Sequence, residues 1–417
     1  MRSGRNSSPL ERWLLKKLLS AAGSPPVRLV IGNSEGISAP GVSPAATVVV
    51  HNRAALFKLL ADPEVGFGEA YMSGAIDVQG GLVDFLEAAY RAWPANRPGL
   101  PGIRLLSTII QPLQANSLRR SRANVHHHYD LRTEFYQRWL DRQLVYTCAY
   151  FPSPSASLEA AQIAKMDHVC RKVQLQPGET VVEAGCGWGA LALHMARNYG
   201  VRVKAFNLSH EQIVFARQRA RQEGLDQMVE FIEDDYRNIS GRFDVFMSVG
   251  MLEHVGLNHY ADLGRVIHQT IGAAGRGLLH FIGRNNPAPL SAWIRKRIFP
   301  GAYAPCLREA MQVLEPWNYS VCDVENLRQH YARTLEHWLS RFERSAQQIS
   351  AVFDAKFIRA WRLYLAGSLV AFRTGSLQLF QVTFAGSENR QIPWTRAHLY
   401  AATEAQTQGS QWMHAMS

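Results

Sequence analysis

A glycine-rich stretch near the middle of the chain constrains the fold more than any other feature. Residues 181–189 read Val-Val-Glu-Ala-Gly-Cys-Gly-Trp-Gly, so two β-branched residues and an acid lead into three glycines at alternate positions. The residues from Leu191 to Met195 then begin a helical face that continues to Tyr199. This pattern predicts a strand, a tight loop and a helix in succession.

The spacing of the glycines bears on what the loop can hold. Glycine is needed in such a turn because a Cβ would block either a positive φ or the close approach of a flat ligand. The pattern E-x-G-x-G-x-G lacks the last glycine of the dinucleotide fingerprint, which favours a nucleoside such as S-adenosylmethionine over a pyrophosphate. A merely structural tight connection is the alternative. The candidate cofactor residues of this stretch are Glu183, Gly185, Cys186, Gly187 and Gly189.

Length and composition narrow the class of protein. The 417 residues suggest two folded units, and no run approaches the roughly 18 apolar residues of a membrane span. Five cysteines without a C-x-x-C pair argue against a disulfide framework or a zinc ribbon and fit a reducing cytosol. The formal net charge of +11 indicates an anionic partner, which the charge alone leaves as nucleic acid, a phospholipid surface or an acidic metabolite.

The chain divides where its composition changes. Residues 1–110 contain short apolar runs and helical stretches without a catalytic constellation, which predicts a small α+β domain. Prolines at 94–101 and a polar, arginine-rich stretch at 115–124 bracket the boundary, so residues 111–125 are predicted to be a linker. Residues 126–417 form the predicted catalytic domain.

The second domain alternates helices and strands, which predicts a Rossmann-like, doubly wound and mostly parallel α/β sheet with helical cover. Ligands of such sheets bind at the carboxyl ends of the strands. The strand candidates are residues 180–183, 202–206, 229–233, 243–249, 277–281 and 377–384.

The N-terminal segment has amphipathic character. Leu10, Trp13, Leu14 and Leu18 share one helical face, with cationic residues nearby. A basic amphipathic helix with a tryptophan can lie in a membrane interface, whereas a helix docked on its own domain would show the same pattern. The sequence leaves both alternatives open.

Polar residues follow the second and third strands of the predicted sheet. Asn207 and Gln212 can together hydrogen-bond two ribose hydroxyls, although Ser209 with Gln212 three residues later also has the spacing of a helix cap. Asp234 and Asp235 offer a carboxylate for an adenine amino group, or they form an ordinary solvated loop.

Further candidates lie at later strand ends and upstream of the glycine loop. Glu253 and His254 are adjacent titratable residues after the fourth strand, and His280 lies in the fifth. Cys148 lies between aromatic residues, and Tyr331 lies near the start of a helix. Taken singly, each of these residues is more often structural than catalytic.

Together these motifs resemble the cyclopropane fatty acid synthase family of S-adenosylmethionine-dependent methyltransferases. The resemblance covers nearly the whole chain, and it implies the seven-stranded sheet of class I methyltransferases. The N-terminal motif at 67–72 points to the phospholipid-modifying branch. The matching segments are His128-Tyr129-Asp130, residues 135–136, 146–151, 183–189, 249–256, 280–283, 298–301, 331–342 and 364–384.

The resemblance implies that a sulfonium methyl is passed to a carbon–carbon double bond in an acyl chain. The carbocation must then lose a proton from the new methyl to close a cyclopropane, so a base is needed beside it. In this family a bound bicarbonate is the base. The positions that match its ligands are Cys148, Glu253, His280, Ile282 and Tyr331, and Tyr146 and Thr147 match cofactor contacts.

The family also sets expectations for partners and location. The expected partners are membrane phospholipids with unsaturated acyl chains. The expected location is cytoplasmic, with peripheral binding at the inner face of the membrane, and a homodimer is one compatible assembly. Arg295, Lys296 and Arg297 could meet headgroups or form an ordinary solvated face. Three consecutive histidines at 126–128 cannot all face one ion from a regular element, so no metal is assigned.

Two rival functions and one departure complete the sequence-based interpretation. A nucleic-acid methyltransferase would fit the basic charge, but the place of its N-P-P-Y type sequence reads Val-Gly-Met-Leu-Glu at 249–253. No nucleic-acid partner is therefore expected. A non-catalytic lipid-binding protein is the second rival. Asn207 stands where the family usually has threonine, which affects the ribose contacts rather than the identity of the cofactor.

Overall fold

A computed structural model describes residues 8–32, 34–41, 43–92 and 132–400. The predicted linker 111–125, the histidines at 126–128 and the motif His128-Tyr129-Asp130 lie outside the described residues. In the described ranges no helix has both the length and the apolar character that a membrane crossing requires.

The N-terminal region is α+β, as predicted. Its four strands form a sheet of order β2-β1-β3-β4, in which β1 and β3 are parallel and the outer pairs are antiparallel. The helices are Pro9–Ala21 (α1), Arg53–Ala61 (α2), Pro63–Met72 (α3) and Leu82–Ala92 (α4), and the strands are Val27–Ile31 (β1), Ile37–Ser38 (β2), Ala46–Val50 (β3) and Ile76–Gln79 (β4).

Helix α1 is docked on its own domain, which is one of the two alternatives left open by the sequence. It begins at a capping box in which Ser8 and Glu11 satisfy each other's backbone N–H groups. Leu15 and Leu19 are buried against the N-terminal domain, so the helix is docked. Trp13 remains 53% exposed, so the predicted apolar face is wrong by about a quarter turn and part of it faces outward.

The larger region contains the predicted seven-stranded sheet, with order β10-β11-β9-β8-β5-β6-β7. Strand β11 is antiparallel to both neighbours and the other adjacent pairs are parallel, so the mostly parallel character is confirmed. The strands are Thr180–Ala184 (β5), Arg202–Asn207 (β6), Val229–Glu233 (β7), Val245–Val249 (β8), Arg276–Gly283 (β9), Ser320–Asn326 (β10) and Gln378–Ala385 (β11).

Helices cover both faces of this sheet. Two long helices, Arg328–Ser350 (α13) and Ala355–Thr374 (α14), carry the aromatic residues Trp338, Phe342 and Trp361. These side chains belong to the hydrophobic core that is shared with the N-terminal domain. The α-helices are Thr133–Gln137 (α5), Leu158–Lys172 (α6), Ala190–Tyr199 (α7), His210–Gln222 (α8), Leu252–Val255 (α9), Tyr260–Ile271 (α10), Ala292–Arg297 (α11), Leu307–Ala310 (α12), Arg328–Ser350 (α13), Ala355–Thr374 (α14) and Ala397–Tyr400 (α15).

An ionic clamp joins the two regions. Glu69 of α3 accepts hydrogen bonds from Arg297 at 2.7 and 2.8 Å and pairs with Lys296 at 3.2 Å. The Arg297 and Lys296 side chains hold the pKa of the Glu69 carboxyl below its ordinary value. Two members of the cationic run are therefore paired across the domains, and Arg295 donates to the carbonyl of Leu290 at 3.1 Å.

Candidate active site

The glycine loop follows β5 and turns sharply into α7. Gly185, Gly187 and Gly189 have φ values of 88°, 53° and 83°, a region that other residues adopt at a cost. The N–H groups of Gly185 and Cys186 donate to the carbonyl of Phe206 on β6, at 2.9 and 3.1 Å. The first half of the loop is thus tied to the neighbouring strand.

This loop forms one wall of a cavity at the carboxyl ends of the strands. Ten of the eleven predicted cofactor residues line it. They are Tyr146, Thr147, Glu183, Gly185, Cys186, Gly187, Asn207, Gln212, Asp234 and Asp235.

Gly189 does not line the cavity. A Cβ at this position would lie 2.6 Å from the Phe231 ring and 2.9 Å from Ala216. The glycine is therefore required for packing at the start of α7, whereas a Cβ at Gly187 would meet no protein atom within 4 Å.

The residues after β6 are arranged as a brace. Asn207 donates from its amide to Gln212 Oε1 at 2.7 Å and to the Gly187 carbonyl at 3.3 Å. Ser209 caps α8 by accepting the N–H of Gln212 at 3.5 Å, so the capping alternative holds alongside cavity lining. Asn207 therefore ties the glycine loop to α8.

The acidic pair after β7 is not a solvated loop. Asp235 is buried, and it accepts hydrogen bonds from the Arg237 guanidinium at 2.7 and 2.8 Å. Asp234 accepts the Asp235 N–H at 2.7 Å and the Asn238 amide at 2.8 Å. Both carboxylates line the cavity while holding their own turn together.

A buried lysine that the sequence did not single out faces the same cavity. Lys165 of α6 donates from Nζ to Thr147 Oγ1 at 3.1 Å. Burial raises the pKa of Glu183 to about 7, and the Lys165 charge opposes that rise. Glu183 Oε2 is buried and has no hydrogen-bond partner among the described residues.

The predicted base residues come together beside β9. Glu253 of α9 accepts the backbone N–H of Ile282 at 2.7 Å through Oε1. Its Oε2 is buried without a partner in the part of the chain that the structure describes. Burial raises the pKa of Glu253 to about 7.

His280 is held by a residue that the sequence analysis missed. Gln381 lies directly across from His280 in the β9–β11 pair, and its Nε2 lies 3.1 Å from His280 Nδ1. Burial keeps the pKa of His280 well below its ordinary value, so the ring is neutral. With the amide donating to Nδ1, the ring proton sits on Nε2, which is buried and has no partner among the described residues.

Cys148 and Tyr331 meet at the start of α13. The Leu327 carbonyl accepts the Tyr331 N–H at 3.1 Å and lies 4.0 Å from Cys148 Sγ. The Leu327 N–H donates to Leu379, the register partner of Ile282. Burial raises the pKa of the Cys148 thiol far above its usual range, so this cysteine stays a neutral thiol and is not activated as a nucleophile.

The base residues adjoin the cofactor cavity without lining it. Gly250 links the two, because it lines the cavity and its N–H donates to the His280 carbonyl at 2.8 Å. Tyr146 lines the cavity and shares a 2.8 Å hydrogen bond with Tyr364 of α14. Pro300 and Gly301, which follow α11, line the cavity from the side of the clamp.

Sequence families match both regions of the chain. Residues 116–382 match the family described as mycolic acid cyclopropane synthetase. Residues 14–94 match a domain family of unknown function.

Individual relatives and a solved structure are similar to this chain as well. The chain is 36% identical over 361 residues to a cyclopropane-fatty-acyl-phospholipid synthase of Escherichia coli strain K12, covering 85% of this chain and 91% of the relative. It is 34% identical over 376 residues to a probable fatty acid methyltransferase of Pseudomonas putida, covering 86% and 93%. The crystal structure of mycolic acid cyclopropane synthase CmaA1 complexed with SAH and CTAB matches with a TM-score of 0.61 and 30% identity, covering 63% of this chain and 97% of that one.

Proposed function

Because the chain belongs to the mycolic acid cyclopropane synthetase family and is an S-adenosylmethionine-dependent methyltransferase, we propose that it cyclopropanates unsaturated acyl chains of membrane phospholipids. The methyl carbon would be added across the double bond with bicarbonate as the general base. One observation carries the base: Glu253 Oε2 and His280 Nε2 are both buried without partners among the described residues. Buried polar atoms are rarely left unsatisfied, so each of these two atoms favours a small hydrogen-bonding ligand beside it.

The cavity fits S-adenosylmethionine. Glu183 offers a buried carboxylate oxygen that no described group satisfies, and Gly187 leaves open space where a Cβ would point. Asn207 and Gln212 also line the cavity, next to the glycine loop that Asn207 braces. These groups match a ligand that carries an amino acid and ribose hydroxyls.

The base residues fit bicarbonate in chemistry and charge. The neutral His280 can donate from Nε2, and Glu253 in its ionised form, above about pH 7, can accept the hydrogen of the anion at Oε2. When bound, bicarbonate supplies the base that removes a proton from the new methyl group. The Ile282 N–H fixes the other oxygen of Glu253, so the acceptor is oriented before any ligand arrives.

The protein surroundings suit a cationic reaction. Tyr146, Trp139, Trp338 and Tyr331 pack with ring centroids 5.3 to 6.0 Å apart beside the base residues. Aromatic faces stabilise positive charge, and their burial excludes water that would otherwise capture a carbocation. The cluster thereby favours proton loss over hydration.

A methylene-branched product, which also forms by loss of a proton from the cation, is the second candidate, since one relative is named a probable fatty acid methyltransferase. Both products begin with the same methyl transfer to an alkene, and they differ in the fate of the cation.

Lipid mass spectrometry tests the assignment. The chain is expressed in a host with unsaturated phospholipids, and a Glu253→Gln variant serves as the control. Cyclopropanation adds one CH₂ to an unsaturated chain and removes its alkene, whereas a methylene branch of the same mass keeps an alkene that ozonolysis detects. Unchanged phospholipids in the presence of folded protein would contradict the proposal.

A further inference from the structure

Lys165 is an unusual residue for its location. It belongs to α6, where its side chain is 2% exposed and lines the cofactor cavity. A lysine is almost never fully buried unless its charge is compensated. Its neighbour Gln162 donates to the Thr147 carbonyl at 2.9 Å. The two side chains therefore fix both the backbone and the hydroxyl group of Thr147.

The Lys165 ammonium forms no direct ion pair among the described residues, and its printed hydrogen bond goes to Thr147. Burial lowers the pKa of Lys165 to about 8, and the negative charges of Asp141 and Glu183 oppose that change from beyond ion-pair distance. Asp141 is held by the N–H groups of Gln143 and Val145 at 2.8 and 2.9 Å. Burial raises the pKa of the Cys148 and Cys170 thiols, so the cysteines stay neutral and the two carboxyl groups supply the negative charge.

Glu183 depends on this lysine in turn. Lys165 is the cation that acts on Glu183, and the other titratable groups facing it are the neutral thiols Cys170 and Cys186. A buried carboxylate without a nearby positive charge takes up a proton instead. The charge state of Glu183, and hence what it can bind, is thus linked to α6.

We propose that Lys165 is a positioning residue of the cofactor site, which fixes Thr147 by a hydrogen bond and keeps Glu183 ionised to receive the cofactor. A protonated Glu183 would present a donor where a positively charged amino group or a hydroxyl must donate. The inference rests on the proposed cofactor contacts and is independent of the acyl substrate and of bicarbonate.

Calorimetric titration with S-adenosylmethionine between about pH 6 and 9 tests this role. In the parent protein, affinity should fall below about pH 7 as Glu183 takes up a proton. Lys165→Met keeps the length of the side chain but removes its charge, so the midpoint of that profile should move up by about one pH unit or more. Lys165→Arg should keep the midpoint near that of the parent, because it keeps the charge.

Lys172→Met is the matched control. Lys172 lies two turns along the same helix, is also buried, and pairs with Glu325 at 2.8 Å away from the cavity. This variant should leave the pH midpoint of cofactor binding unchanged. A folded Lys165→Met protein with the parental affinity and midpoint would overturn the proposal.

Glu183→Gln keeps the proposal testable if Lys165→Met does not fold. It should weaken binding and remove the titration near pH 7, and a profile that still titrates there would overturn the role given to the pair. A parent protein that binds no S-adenosylmethionine at any pH would contradict the cofactor site itself. That outcome is distinct from normal binding by Lys165→Met.

Discussion

The carboxylate of Glu253 is divided between two tasks by the backbone of Ile282. Oε1 accepts the Ile282 N–H at 2.7 Å, and Oε2 is buried without a partner among the described residues. Since one oxygen is committed to the fold, the other has a fixed direction. The hydrogen bond between α9 and the end of β9 therefore orients Oε2 as a hydrogen-bond acceptor.

Glu253→Gln is expected to convert this acceptor into a donor. The amide oxygen would keep the Ile282 N–H, so the NH₂ group would occupy the place of Oε2. Turnover of an unsaturated phospholipid should fall on the order of 100-fold or more, with cofactor affinity unchanged.

Bicarbonate provides the control for that variant. In degassed buffer, added bicarbonate should accelerate the parent enzyme and affect Glu253→Gln less. Equal turnover of both proteins, with no response to bicarbonate in either, would mean that the proton leaves by another route.

The raised pKa of Glu253 predicts a pH-dependent stability difference. Between its ordinary value of 4.5 and about 7, the folded protein holds a proton on Glu253 that the unfolded chain has released. Stability contributed at this site therefore falls as pH rises through that window. Relative to Glu253→Gln, the parent should lose up to about 3 kcal/mol of unfolding free energy, measured by urea titration at several pH values. A constant difference would contradict the burial of an ionisable carboxyl group here.

Gln381 is expected to set the tautomer of His280. In Gln381→Glu a carboxylate would accept the Nδ1 proton, leaving Nε2 as an acceptor where the proposed bicarbonate needs a donor. Activity should fall by roughly 10- to 100-fold, the range for loss of a residue that orients a functional histidine. Nitrogen-15 chemical shifts of His280 would report the change, and Gln381→Met should show a smaller loss because it favours neither tautomer. Full activity with a shifted tautomer would exclude a donor role for Nε2.

Gly187→Val is expected to abolish S-adenosylmethionine binding while the protein stays folded. A Cβ at this position meets no protein atom within 4 Å, and because Gly187 lines the cavity, the added side chain would occupy space that the ligand needs. Gly178→Val is a matched control, since Gly178 also has positive φ and an open Cβ direction but lies away from the cavity. Each variant should lose about 1–3 kcal/mol of stability through backbone strain. Calorimetry should find binding lost in Gly187→Val alone, and equal affinities would remove the loop from the cofactor site.

Trp13 is expected to contribute to binding of anionic vesicles. It is exposed on α1 beside Leu10, with the Lys17 ammonium 5.4 Å from its ring centroid. Sedimentation with vesicles rich in phosphatidylglycerol should show salt-sensitive binding that Trp13→Ala weakens. Trp394→Ala removes a tryptophan that is fully exposed outside α1 and should have no effect. Equal binding to neutral and anionic vesicles would contradict a surface role for α1.

Regular, well-buried elements were predictable from the sequence. Helix Ala190–Tyr199 and strand Val229–Glu233 have the predicted bounds, because apolar periodicity is strong where one face is buried. Strand Ser320–Asn326 was not located, since it lies at the sheet edge with largely exposed side chains and no apolar run. The buried face of α1 was predicted wrongly because leucines occur at neighbouring positions on two helix faces. Leu14 and Leu18 lie on the predicted face, and Leu15 and Leu19 lie on the face that is buried.

Site residues were predictable where a motif marks them. The glycine loop and the strand-end polar residues come together as expected, although their functional roles stay predictions. Lys165 and Gln381 were missed because a single lysine in a helix, or a glutamine in a strand, normally indicates a solvated position. Their importance depends on what the fold packs against them: Thr147 for one and His280 for the other.

The clamp at Glu69 has a consequence for how a lipid reaches the site. Arg297 is bound to the N-terminal domain, and Pro300 and Gly301, three and four positions later, form part of the cavity wall. Three residues are too short a tether to let that wall swing outward while its anchor stays in place. Any outward movement of this wall would therefore require either release of the two ion pairs of Glu69 or movement of the N-terminal domain with it.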